Sequence, residues 1–248
     1  MIKIIGLEKS FGAKKILNRV NLEMEKGMIT VVIGRSGEGK SVLLKHIIGL
    51  LKPDAGQILL DGTDLAALKE REFNEVRKRF GMLFQGSALF DSMTVGENVG
   101  FPLKEHTDLD NAVIRDIVRQ KLERVGLKNI EDMMPSDLSG GMKKRVGLAR
   151  AIVMDPEIVL FDEPTTGLDP IMSDSIAELI LDTQRALKTT YILITHDIQL
   201  TYKVADKIAM LHEGRIIMEG SVDDFRTTRD PAVRQFLEGS SKGPIGVI

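Results

Sequence analysis

The chain has no cysteine and no tryptophan, and aromatic residues make up only 4% of it. Without cysteine there are no disulfides and no thiolate metal sites, which fits a reducing compartment such as the cytoplasm. No apolar run approaches the roughly 18 residues that a membrane-spanning helix needs. The opening MIKIIGLEKSFG sets Glu8 and Lys9 where a signal peptide carries its apolar region, so the expectation is a chain that neither enters a membrane nor is exported. An excess of either charge is missing too. With 34 basic and 36 acidic residues the net charge is −2, which gives no general reason for binding nucleic acid or anionic lipid. Any membrane link must come through a partner. What remains is a chain of 248 residues, 43% hydrophobic and 28% charged, long enough for one sizeable core or two small ones.

Strands come early. MIKIIGL, KILNRVNLEME and QILLDG are short, partly alternating and closed by FG, KG and DG, the pattern of an antiparallel β layer. MITVVIG, EIVLFDE and TYILITHD hold continuous apolar runs instead, as strands covered on both faces of a parallel sheet do, which implies α/β crossovers. From about Leu65 to Met134 the chain is polar with helical periodicity, and no strong buried strand is expected there. In NAVIRDIVRQKLERVGL, the residues Val113, Ile117, Leu122 and Val125 are expected to line one face. This stretch reads as a helical subdomain inserted into the α/β core. KIAMLHEGRIIMEG reads as a hairpin around Glu213 and Gly214, followed by a short polar helical tail ending in GSSKGPIGVI.

Between the MITVVIG strand and a helix carrying Leu43, Leu44, Ile47 and Ile48 lies GRSGEGKS, a P-loop: Gly34, four residues, then Gly39, Lys40 and Ser41. Glycines let consecutive N–H groups turn inward on a phosphate, and the following helix adds its positive end. The nucleotide-binding residues are therefore Gly34, Arg35, Ser36, Gly37, Glu38, Gly39, Lys40, Ser41 and the adjoining Val42. Lys40 neutralises the β- and γ-phosphates, and the Ser41 hydroxyl ligates Mg²⁺. A second buried strand ends in Asp162 and Glu163, whose side chains alternate if the chain stays extended. Asp162 is expected to secure Mg²⁺ and Glu163 to polarise the attacking water. In LSGGMKKRVGLARAI, Ser139 is a natural N-cap, yet Gly140 and Gly141 occupy a first turn that better helix formers would favour by up to roughly 1 kcal/mol each. Paired glycines there point to another phosphate contact. The runs RKR (77–79) and KKR (143–145) read as solvated helix faces, and the four histidines show no metal-ligand spacing.

Taken in order, these motifs resemble an ATP-binding cassette ATPase over nearly the whole length. The resemblance implies an α/β P-loop fold with an N-terminal antiparallel β subdomain and an inserted helical subdomain. Residues 1–84 and 155–248 would form the core, 85–154 the signature-bearing helical part, and 222–248 a C-terminal tail. It also implies roles. Phe11 resembles the residue that stacks on adenine, Gln85 the Q-loop glutamine that reaches Mg²⁺ or water, Asp169 the D-loop aspartate, and His196 the switch histidine that hydrogen-bonds the γ-phosphate. Two departures stand out: Met142 where the signature usually has glutamine, and Val42 where threonine usually follows the P-loop serine. Two ATPs are sandwiched in this family between the P-loop of one subunit and the signature of the other, which implies a homodimer. The segment ALFDSMTVGENV followed by FPLKEHT is similar to ATPases of Mla-type, MCE-associated transporters. Those move phospholipid between bacterial inner and outer membranes. That resemblance implies a membrane permease and an MCE-type lipid-binding subunit as partners, the cytoplasmic face of the inner membrane as location, and no nucleic-acid partner. A motor for another solute or apolar compound is the competing reading. A soluble ATPase fits less well: those of DNA repair carry a long coiled coil for which the stretch between Gln85 and Leu138 is too short, and those of translation usually carry two cassettes where this sequence shows one.

Overall fold

The computed structural model describes residues 1–246, so Val247 and Ile248 of the expected tail lie outside the described residues. In chain order the elements are β1 (Ile2–Phe11), β2 (Lys14–Met24), β3 (Ile29–Ile33), α1 (Lys40–Ile47), β4 (Ala55–Leu60), β5 (Thr63–Asp64), α2 (Glu70–Arg77), β6 (Phe80–Leu83), α3 (Val95–His106), α4 (Asn111–Arg124), α5 (Gly140–Ala151), β7 (Ile158–Asp162), α6 (Pro170–Leu187), β8 (Thr190–Thr195), α7 (Ile198–Val204), β9 (Lys207–His212), β10 (Arg215–Gly220), α8 (Val222–Thr227) and α9 (Pro231–Glu238). They fall into two compact units, Met1–Phe73 with Ile192–Ile248, and Asn74–Tyr191.

In the first unit an antiparallel sheet runs in the order β2-β1-β4-β5. Its core face alternates as expected, with Ile2, Ile4 and Leu7 of β1 buried beside Leu17, Val20, Leu22 and Met24 of β2 and Ile58 and Leu60 of β4. A second sheet pairs β3 parallel to β9, and β9 antiparallel to β10. The β9–β10 hairpin turns at Glu213 and Gly214, both with positive φ (46° and 72°), as a tight two-residue turn matching the strand twist requires. All five residues of β3 are buried, which is why its sequence is apolar without alternation. Behind it α1 packs Leu43, Leu44, Ile47 and Ile48 into the core.

In the second unit β6 pairs parallel to β7, from Phe80 opposite Ile158 to Leu83 opposite Phe161. β6 is a short, half-buried strand inside the stretch from about Leu65 to Met134, where helices and no strong buried strand were expected. Its Gly81 and Leu83 are buried, and a Cβ at Gly81 would collide with the Ala151 carbonyl at the end of α5. The helices α3, α4 and α5 follow as the expected helical region. The buried stripe of α4, however, is Ile114, Val118 and Leu122, continuing to Val125, and Val113 points outward at 44% exposure. Leu122 and Val125 are buried as expected, whereas at the start of the helix the buried face runs through Ile114 and Val118 in place of Val113 and Ile117. β7 is buried until Asp162, and its Phe161 ring packs tilted by 54° against Tyr191, a fully buried side chain, with centroids 4.9 Å apart.

Candidate nucleotide site

The first unit carries the P-loop. Gly34, Gly37 and Gly39 all take positive φ (155°, 84° and 99°), the region that only glycine enters cheaply. At two of them close approach adds a second demand. A Cβ on Gly34 would strike the carbonyl of Leu211, and one on Gly39 would press on Ile16 and Leu17. Lys40 is 5% exposed, and its Nζ donates to the carbonyls of Gly34 (2.7 Å) and Arg35 (3.1 Å), which holds the ammonium against the curl of the loop. Ser41 follows in the first turn of α1. Val42 contributes its carbonyl, 2.7 Å from His46 Nδ1. Burial lowers the pKa of His46.

Not every residue of the motif turns the same way. The Glu38 carboxylate is directed to the β9–β10 hairpin, where it accepts from the Glu213 N–H at 2.6 Å and lies 3.2 Å from His212 Nδ1. Arg35 donates to the Gly246 carbonyl at 2.7 Å, tying the C-terminal segment to the loop, while Ser36 is exposed. His196 is exposed immediately after β8, and Asp197 behind it caps α7 by accepting from the Leu200 N–H at 3.0 Å. Phe11 closes β1 half-exposed, with Lys9 Nζ 5.7 Å from its ring centre.

The second unit carries the carboxylates and the signature. Asp162 is the last residue of β7, but Glu163 has already left the strand with φ 49°. The expected alternation of the two side chains therefore stops at Asp162. A non-glycine residue in that conformation costs roughly 1–3 kcal/mol and is held by its surroundings. Here Thr166 helps, donating its hydroxyl to Glu163 Oε2 at 3.3 Å and its N–H to the Glu163 carbonyl at 3.3 Å. Ser139 caps α5 as expected, accepting from the Met142 N–H. The paired glycines have different reasons. A Cβ on Gly141 would collide with the Met172 side chain of α6, whereas Gly140 is exposed and open to an approaching group. Asp169 caps α6, its Oδ1 3.0 Å from the N–H groups of Ile171 and Met172. Gln85 is exposed just beyond β6.

The KKR reading needs correction at its centre. Lys144 is 5% exposed, and its Nζ donates to the main-chain carbonyls of Gln85 and Glu163, the latter at 3.3 Å. Arg145 donates to the Val125 carbonyl and to Ser175 Oγ. One further pair was not singled out in the sequence. Arg150 donates to the carbonyls of Ser87 and Ala88, and buried Asn98 binds Phe90 through both its N–H and its carbonyl. Spacing could have exposed Lys144, since it stands in the buried helical register of Gly141, Leu148 and Ala151.

Residues 17–166 match the ABC transporter family, more than half of the chain. The chain belongs to the ABC transporter family. Among its relatives, the intermembrane phospholipid transport system ATP-binding protein MlaF of Haemophilus influenzae is 45% identical over 245 residues, 99% of this chain and 93% of the relative. The probable ribonucleotide transport ATP-binding protein mkl of Mycobacterium leprae is 46% identical over 246 residues, 99% of this chain and 71% of the relative. The fold is likewise similar to the ATP-binding cassette MJ0796, solved as a dimer in a post-hydrolysis state with ADP and phosphate. The TM-score is 0.82 at 29% identity, covering 90% of this chain and 99% of that one. This ABC chain is thus an ATP-binding, ATP-hydrolysing subunit with the expected α/β fold. No helix among the described residues is long and apolar enough to cross a membrane.

Proposed function

We propose that this ABC ATPase drives phospholipid transfer between the inner and outer membranes of a bacterium. The observation that carries the reading is its similarity to MlaF along almost the full length of both chains. In this reading the chain works as a homodimer on the cytoplasmic face of the inner membrane, attached through a permease and served by an MCE-type lipid-binding subunit. Residues 85–154 form the signature-bearing helical subdomain, with 1–84 and 155–248 as core and 222–248 as tail.

The site residues take the following parts. The glycine-rich loop presents N–H groups to the phosphates, and Lys40 supplies the neutralising charge. Phe11 stacks on the base. Glu163 holds the attacking water by accepting its proton-bearing O–H, and His196 steadies the γ-phosphate. Ser139, Gly140, Gly141 and Asp169 complete the partner's nucleotide. Magnesium fits the donor set, because Ser41, Gln85 and Asp162 offer a hydroxyl, an amide oxygen and a carboxylate, the hard oxygens this ion takes beside water and phosphate. Held by these residues, the ion would offset the negative charge that develops on the phosphates.

The mkl relative is named for ribonucleotide transport, which keeps a soluble cargo as the second reading. The deciding experiment is purification of the assembled complex from membranes, with identification of its subunits and lipid, then ATP-dependent transfer of labelled phospholipid between vesicles. Phospholipid retained and transferred is the expected result. A solute-binding or efflux subunit without lipid transfer would replace this reading with the second.

A further inference from the structure

One stripe of α5 carries Lys144, Gly147 and Arg150 at three-residue spacing. All three meet the segment that follows β6. Lys144 donates to the Gln85 carbonyl, and Arg150 donates to the carbonyls of Ser87 and Ala88. Gly147 lies so close that a Cβ there would be pressed against Leu83 and Ser87. Ser87 and Ala88 both have positive φ (63° and 45°), so this segment is bent against its own preference and held in place by the helix. Lys144 differs from the other two in also reaching the segment that follows β7, through the carbonyl of Glu163, whose own φ is positive. A buried cation that donates to two carbonyls makes stronger bonds than neutral donors would, and removing it takes a charge-assisted bond from each. Burial lowers the pKa of Lys144 while the charges of Asp162 and Glu163 oppose that shift.

Resting on the roles given above to Gln85 and Glu163, we propose that Lys144 is a positioning residue for hydrolysis, fixing both main-chain segments to the signature helix so that they move together. A displacement felt at Gln85 is passed through one ammonium group to the backbone that aims the Glu163 carboxylate. The same helix begins at Ser139, Gly140 and Gly141, so the signature moves with them.

The test compares Lys144→Met, Lys144→Arg and Glu163→Gln in the full chain assembled with its membrane partner. Because small misplacements of a catalytic group cost orders of magnitude, Lys144→Met should lower kcat about tenfold with KM for ATP changed less than about twofold, and Lys144→Arg should recover most of the loss. Hydrogen exchange supplies a readout that a merely structural lysine would not move: ATP should protect 85–88 and 163–166 together in the parent and in Lys144→Arg, but not together in Lys144→Met. The loss from Lys144→Met should also fail to add to that of Gln85→Ala. A folded Lys144→Met with parental kcat, or full additivity with Gln85→Ala, overturns the proposal. Should Lys144→Met fail to fold, Lys144→Gln replaces it, and failure of both assigns Lys144 to structure alone. Parental hydrolysis by Glu163→Gln would instead remove the underlying site assignment, whereas a slow Glu163→Gln beside a normal Lys144→Met removes only this inference.

Discussion

Lys40 and Glu163 both combine burial with charge, and they should fail differently when altered. Lys40 donates to the carbonyls of its own loop, so Lys40→Ala removes the phosphate's counter-charge and also loosens the curl around it. Glu163→Gln preserves shape and hydrogen bonding but deletes the charge that activates water. Isothermal calorimetry and phosphate release on the two variants should therefore separate them. Lys40→Ala is expected to lose most ATP binding, with stability lower by about 1 kcal/mol for its lost bonds. Glu163→Gln is expected to bind ATP normally and hydrolyse it about a hundredfold more slowly. At this scale the P-loop was legible because its demand is local: positive φ at Gly34, Gly37 and Gly39 is written into the residue type. Lys144 was not legible as a charge, since a lysine in a basic run ordinarily faces water. Its place in the helical register, beside Gly141, Leu148 and Ala151, is the one signal that could have marked it as buried.

Elements were readable in proportion to their length and to how evenly they are covered. The buried β3, β7 and β8 advertise themselves as apolar runs, but β6 spans only Phe80–Leu83, follows three basic residues, and contains a glycine required by the nearby α5 backbone. Its partner β7 makes it a strand, and pairing leaves no local trace. The same distinction sorts the apolar residues between β6 and α3. Val95 is wholly buried, while Leu89 and Met93 are half-buried and Phe90 is 43% exposed, the side chain most open to a partner. Phe90 stacks on Phe101 at 5.1 Å beneath Arg150, and Asn98 fixes its main chain. Phe90→Ser should cost the isolated chain only about 1 kcal/mol, the worth of an aromatic pair, and leave ATP binding intact. Association with the permease and transport should both collapse. Thermal melting, nucleotide binding and membrane pull-down on one preparation decide it, and normal pull-down with normal transport would show that Phe90 is not part of the surface that grips the permease.

For the whole molecule, the division into two units had no signal in composition. Its limits, at Phe73 and Tyr191, fall inside α2 and β8 rather than in a glycine- or proline-rich linker, so the chain offers no punctuation where its contacts regroup. Tyr191, at one of those limits, has a consequence for measurement. Burial pushes its phenol up to about 12, against about 10 for an exposed tyrosine. Below about pH 10 the folded and unfolded forms carry the same neutral phenol, and the stability that depends on it is fully present. As pH rises toward 12 the unfolded form gives up this proton more readily, and the second unit should lose stability across that window. In a chain without tryptophan, the ultraviolet band of phenolate stands on a clear background. A slow rise of that band after an alkaline jump, following the fast ionisation of accessible phenol, would time the release of the Tyr191 ring from its packing on Phe161 of β7 without any label. If all phenolate absorbance appears at once below pH 11, the ring is not shielded as described.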